Sequence, residues 1–149
     1  MTSLTMQPIV LDTNIVLDLL VFADAAAAPL RGALADGNLD WLATAPMRTE
    51  LERVLDYPQI AQRMAFHGHS AAAVLEAFDR SARLTAVPAK APVTCSDPDD
   101  QKFIDLAVAH RCLLLSKDAA VLSMKKRLAA LMVGVSRALP ASSYKLLGA

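Results

Sequence analysis

Hydrophobic positions fall into two kinds of block along the chain. Apolar runs without alternation occupy 8–11 (Pro8-Ile9-Val10-Leu11) and 112–115 (Cys112-Leu113-Leu114-Leu115). Such runs read as strands buried on both faces. Residues 39–43 and 131–135 suit two further strands, and 84–87 a shorter one. Between them the apolar positions recur at helical spacing. A helix is expected over 14–22, and a second starts after Pro29 or slightly before it and ends at Gly37-Asn38. Thr44 reads as the N-cap of a third helix, with Pro46 in its first turn and Met47, Leu51, Val54 and Leu55 as its apolar stripe. Tyr57-Pro58 breaks that helix. Two more helices follow at 58–66 and 70–82, the latter capped by Ser70. Residues 88–99 carry Pro88, Pro92 and Pro98 and form the longest irregular stretch, a candidate rim for a site. Asp97-Pro98-Asp99-Asp100 then opens a helix to about His110. A last long helix is expected over 119–130, and a terminal turn or helix after Pro140. Strands alternating with helices indicate a parallel sheet covered on both faces. With no repeat and no linker, residues 1–149 read as a single domain.

Composition narrows the picture only a little. Ala (28) and Leu (23) dominate while Phe, Trp and Tyr total 7, which leaves few rings for a base-stacking platform. Formal net charge is zero, from 15 basic and 15 acidic side chains, so no globally basic surface announces a nucleic acid. The zero hides an asymmetry. Residues 1–99 hold 7 basic and 12 acidic side chains, whereas 100–149 hold 8 basic and 3 acidic. Cys95 and Cys112 have no metal-ligand spacing and read as buried thiols of a reduced compartment. With no signal segment at the N-terminus and no long apolar span, a cytoplasmic protein is expected, with no membrane partner.

In parallel α/β sheets, sites form outside the carboxyl ends of the strands. Asp12 closes the first strand and Asp118 follows the strand at 112–115. Asp100 sits at a helix start, where capping alone could explain an acid, and Glu50 lies on the helix after the second strand. Two like charges 4 Å apart repel by about 4 kcal/mol at an effective dielectric near 20. Converging acids therefore need a cation or must hold protons. All-oxygen donors without His or Cys favour Mg²⁺ or Mn²⁺ over Zn²⁺.

Four blocks in order carry a resemblance: Leu11-Asp12-Thr13-Asn14; Glu50 to Leu55 before Tyr57-Pro58; Asp97 to Phe103 with Ala107; and Ser116-Lys117-Asp118. Together they resemble the PIN-domain family over about residues 8–136, and more closely its bacterial branch of toxin components, relatives of VapC-type toxins. The resemblance implies a three-layer α/β/α PIN-like fold with a central, mainly parallel sheet of four to five strands. It implies a Mg²⁺- or Mn²⁺-dependent endoribonuclease, the toxin of a type II toxin–antitoxin pair, with RNA as substrate, an antitoxin protein as partner and a homodimeric state. The catalytic and metal-binding acids carried over are Asp12, Glu50, Asp100 and Asp118. Asp97 and Asp99 are auxiliary candidates, and Thr13, Asn14 and Ser116 support the pocket. One departure is that relatives often carry a second acid just after the position of Asp118, where this chain has Ala119 and Ala120. The implied products are a 5′-phosphate and a 3′-hydroxyl. Lys117, Lys125, Lys126 and Arg127 are candidates to hold flanking phosphates.

Blander readings stand beside these. Glu50 could be a solvated helix residue like Glu52, and the run 125–127 a solvated helix end favoured by the macrodipole. Asp105 reads as a surface helix residue and His67-Gly68-His69 as a turn. Trp41, Met47, Met64, Met124 and Met132 read as packing residues. Two functional alternatives remain. A haloacid-dehalogenase-like phosphatase would want an acid two residues after its nucleophilic Asp, where this chain has Asn14. A PIN-like scaffold could bind RNA or a protein without cleaving.

Overall fold

The computed structural model describes residues 6–140; the turn or helix expected after Pro140 lies outside them. Five strands form one sheet: β1 (Gln7–Leu11), β2 (Leu39–Ala43), β3 (Ala82–Leu84), β4 (Leu113–Leu115) and β5 (Val135–Ser136). All pairings are parallel, in the order β3-β2-β1-β4-β5. The chain steps from β1 through β2 to β3 on one side, then crosses to β4 and β5 on the other. Right-handed crossovers in opposite directions place the helices of the two halves on opposite faces. On the first half lie α1 (Thr13–Leu20), α2 (Ala28–Ala35), α3 (Ala45–Leu55), α4 (Pro58–Phe66) and α5 (Ala71–Ser81). On the second lie α6 (Gln101–His110), α7 (Ala119–Leu122) and α8 (Lys125–Ala129). The result is the three-layer α/β/α arrangement expected from sequence.

Burial explains the strands. Ile9, Val10, Leu114 and Leu115 sit in the middle of the sheet and are buried. Trp41 of β2 is buried too, its ring edge-on to Phe78 of α5 with centroids 5.2 Å apart. Among the described residues, no single helix is long and apolar enough to cross a membrane.

Several boundaries differ from the sequence expectation, each for a physical reason. The edge strand runs over 82–84, not 84–87. It pairs with Trp41–Ala43 of β2, Arg83 makes a two-pronged surface ion pair with Asp40 at 3.1 and 2.6 Å, and Val87 lies exposed beyond it. Thr44 holds the N-cap position of α3 with extended backbone, but its side chain makes no capping bond. The helix expected over 119–130 is two short helices, α7 and α8. The strand expected over 131–135 shrinks to Val135–Ser136, because 131–133 close α8: Met132 adopts φ 69°, and Val133 N–H reaches back to the Leu128 carbonyl.

Candidate metal centre

The sheet order places β1 at the switch between the two winding directions, where α/β sheets open a crevice. Asp12, one residue past β1, is buried. It caps α1 by accepting from Ile15 N–H at 3.0 Å, and its other oxygen accepts from the Ser116 hydroxyl. Ser116, one residue past β4, is fully buried and also accepts from Asp118 N–H at 3.0 Å. Asp118 caps α7 through Ala120 N–H at 2.9 Å. The two central strands thus deliver two carboxylates locked together by one serine.

The loop before α6 brings the next group. Asp97 caps the 3-10 turn Pro98–Asp100, and the turn swings Asp100 inward, where it is buried. Ligand oxygens of Asp97, Asp100 and Asp118 all lie within 4.8 Å of one another. Oδ2 of Asp100 is buried and has no hydrogen-bond partner. Burial and the adjacent Asp118 carboxyl push Asp100 up to about 7. Burial raises Asp12 as well, opposed by its bonds from Ser116 and Ile15. An orphaned buried carboxylate oxygen among converging acids is suited to hold a cation. The donors are all hard oxygens, which suits a hard divalent ion.

Glu50 reaches the same region from α3. Asp12, Thr13, Asn14, Glu50 and Asp100 line one cleft of about 590 Å³, floored by Leu17, Val54, Ile60 and Phe103. Thr13 donates to Glu50 Oε2 at 2.5 Å, and the Lys102 ammonium of α6 pairs with Oε1.

The remaining expected residues are spread out. Asn14 is exposed at the cleft mouth, and Asp99 is exposed outside the three-acid cluster. Lys117 pairs with Asp18 of α1. Lys125, Lys126 and Arg127 are exposed on α8 and do not line the cleft. His67 and His69 are exposed, their rings 6.3 Å apart, and stand outside the acid cluster.

Two residues carry roles that the sequence reading did not assign. Lys102 is one; the signal was a single cation two positions after Asp100. Asp105 is the other. It is half-buried, and its Oδ1 accepts from Ala91 N–H and Gln101 Nε2, both at 2.8 Å, while Gln101 holds Cys95 N–H and the Val93 carbonyl. These bonds pin the proline-rich loop that delivers Asp97. Cys95 and Cys112 are free and buried, and burial pushes the Cys112 thiol up to about 12, away from reactivity.

A parallel α/β sheet with carboxylates gathered where its winding reverses defines the class: an α/β protein with a divalent-cation donor set at its switch point. Within that class, the PIN-domain family model matches residues 8–120, a span that includes every acid of the cleft, and the chain belongs to the PIN-domain family. PIN domains are in general metal-dependent nucleases. No curated protein matches the chain.

Proposed function

We propose that this protein is a Mg²⁺- or Mn²⁺-dependent endoribonuclease, acting as the toxin of a type II toxin–antitoxin pair. The observation that carries the reading is the buried, partnerless Oδ2 of Asp100 beside Asp97 and Asp118. Those three carboxylates, with Asp12 behind them, would hold the ion. When bound, a divalent ion acidifies a water molecule and offsets charge developing on a phosphoryl group.

The chain's own residues do the rest. Ser116 fixes the rotamer of Asp12 and, through Asp118 N–H, the start of α7. Thr13 holds Glu50 against the cleft wall. Asn14, exposed at the mouth, is within the lining and suited to donate to a phosphate oxygen. Leu17, Val54, Ile60 and Phe103 line the cleft beside the acids, with Leu17 and Phe103 buried. Lys125, Lys126 and Arg127, exposed on α8, would hold phosphates that flank the cut site. The proposed products carry a 5′-phosphate and a 3′-hydroxyl. An antitoxin protein, a homodimeric state and a cytoplasmic location complete the proposal; they rest on the likeness to toxin members of the family, and size-exclusion chromatography of the pure chain tests the dimer.

Incubation of the protein with RNA in Mg²⁺ or Mn²⁺ tests the activity. Wild type should cleave, and Asp12→Asn and Asp118→Asn should not. Turnover of phosphomonoesters without RNA cleavage would favour a phosphatase. RNA binding without cleavage in either metal would favour a scaffold.

A further inference from the structure

Glu50 differs from the other acids of the cleft in already having a cation. Its Oε1 is paired with the Lys102 ammonium and its Oε2 accepts from Thr13. The lysine is not a loose surface contact. Its side chain is 27% exposed and that of Glu50 15%. The ammonium also donates to the Asp99 carbonyl at 2.5 Å and sits 5.0 Å from the Phe103 ring centroid. It is therefore held from three sides, by α3, by the 3-10 turn that carries Asp100, and by an aromatic face. Lys102 lies on the first turn of α6, so the same helix start that positions Asp100 positions the ammonium.

The acids in and beside the cleft fall into two groups. In one, Asp97, Asp100 and Asp118 converge, with Asp100 alone of the three in the cleft lining, and Asp100 has an oxygen with no partner. The nearby Lys117 is turned to Asp18 of α1. In the other, Glu50 lines the cleft and its charge is matched by Lys102, which shares an adjoining groove with Glu50 and Arg53. A second divalent ion held at Glu50 would meet that ammonium as a like charge. Ala119 and Ala120, which follow Asp118, offer no side-chain ligand.

We infer that Lys102 is a built-in monovalent cation that neutralises Glu50, so that the protein binds one divalent ion, at Asp97, Asp100 and Asp118 with Asp12 behind them, and not two. The inference rests on the reading of the cleft as a divalent-cation centre and adds its stoichiometry. A lysine ammonium gives a single positive charge with three donors, here directed to Glu50 and to the Asp99 carbonyl, which is enough to neutralise Glu50. Lys102 is thus a positioning group for Glu50, tethered by the chain and independent of the metal concentration.

Titration of the full chain with Mn²⁺, followed by calorimetry and by loss of the free Mn²⁺ paramagnetic resonance signal, reads the stoichiometry without any activity assay. Wild type should bind one ion per chain. Lys102→Met keeps the length of the stem and removes the charge, and should bind two. Lys102→Arg keeps the charge and should return the count to one, which separates the charge from an effect on folding. The double variant Lys102→Met/Glu50→Gln should also bind one. Two ions on wild type, or one on Lys102→Met with its fold intact by circular dichroism, would overturn the role of Lys102 while leaving the metal centre standing. No ion on wild type would overturn the metal centre itself, and the inference with it.

Discussion

Asp100 sits where the charge of the cleft is least compensated. Burial and Asp118 together push its carboxyl from the ordinary Asp value up to about 7. The folded state therefore binds that proton more tightly than the unfolded chain does. Its contribution to stability is complete below about pH 4 and is lost as pH rises through about 7. Metal-free protein should accordingly show a melting temperature that falls across this window, measured by differential scanning fluorimetry in chelator. Mg²⁺ or Mn²⁺ should restore it, with a larger shift at pH 8 than at pH 6. Asp100→Asn should flatten the pH dependence and abolish the metal shift. Ser116 makes a second residue-scale test. Its hydroxyl serves the buried Asp12 carboxylate and the half-buried Asp118 N–H, so Ser116→Ala leaves both unmatched and should cost about 1–3 kcal/mol in urea denaturation. At this scale the sequence was legible wherever an acid ended a buried strand. Lys102 and Asp105 were not, because a charged residue on a helix looks alike whether it faces water, a carboxylate or a loop amide.

Helix ends explain what was legible among the elements. Four helices close by the same arrangement, in which a residue at positive φ follows the last turn and the next N–H reaches back five residues. After α2 and α4 the residue is Gly37 or Gly68, both at φ 75°. After α6 and α8 it is Arg111 at φ 50° and Met132 at φ 69°. Glycine announces its turn, and the end of α2 was read from Gly37 directly. Met132 hid its turn inside an apolar run that resembled a strand. The division of α7 from α8 was invisible for a related reason: Val121, Met124 and Leu128 keep helical spacing and full burial across the break. An L-residue in the left-handed region carries a cost of about 1 kcal/mol. Arg111→Gly should therefore stabilise the fold by about that amount, and Gly37→Ala should destabilise it similarly. A Cβ at Gly37 meets nothing within 4 Å, so its cost would be one of backbone conformation alone. Chemical denaturation of the two variants checks both signs. The capping acids give a further benefit at this scale. Asparagine caps about as well as aspartate, so Asp12→Asn and Asp118→Asn should remove charge from the cleft and leave α1 and α7 in place.

Over the whole molecule, the sheet order decides where charge accumulates. Because β1 lies between β2 and β4, the end of the first strand and the end of the fourth are neighbours, although Asp12 and Asp118 are far apart in sequence. That closeness follows from topology, which local pattern does not encode; the recurrence of four blocks in a family order supplied it. The zero net charge is then a partition. Acids drawn from both halves of the chain meet in one cleft, and the basic surplus of the last third is partly spent on acids of the first, with Lys102 on Glu50 and Lys117 on Asp18. Lys125, Lys126 and Arg127 remain exposed on α8. Replacing the three with alanine should weaken RNA binding and reduce the salt slope by up to about 2, at roughly 0.7 per phosphate contact on a single strand. An unchanged slope would remove α8 from the interface.

The cleft as a divalent-cation centre for RNA cleavage is tested most directly by the Mg²⁺ dependence of single-turnover cleavage of a labelled RNA, for wild type and Asp100→Asn. Wild type should be inert in chelator and rise to a plateau with Mg²⁺, and Asp100→Asn should be slower by about 100-fold or more, given that even residues behind metal ligands are worth 10–100-fold. Cleavage that persists in chelator, or an Asp100→Asn variant that cuts RNA at the wild-type rate, would contradict it.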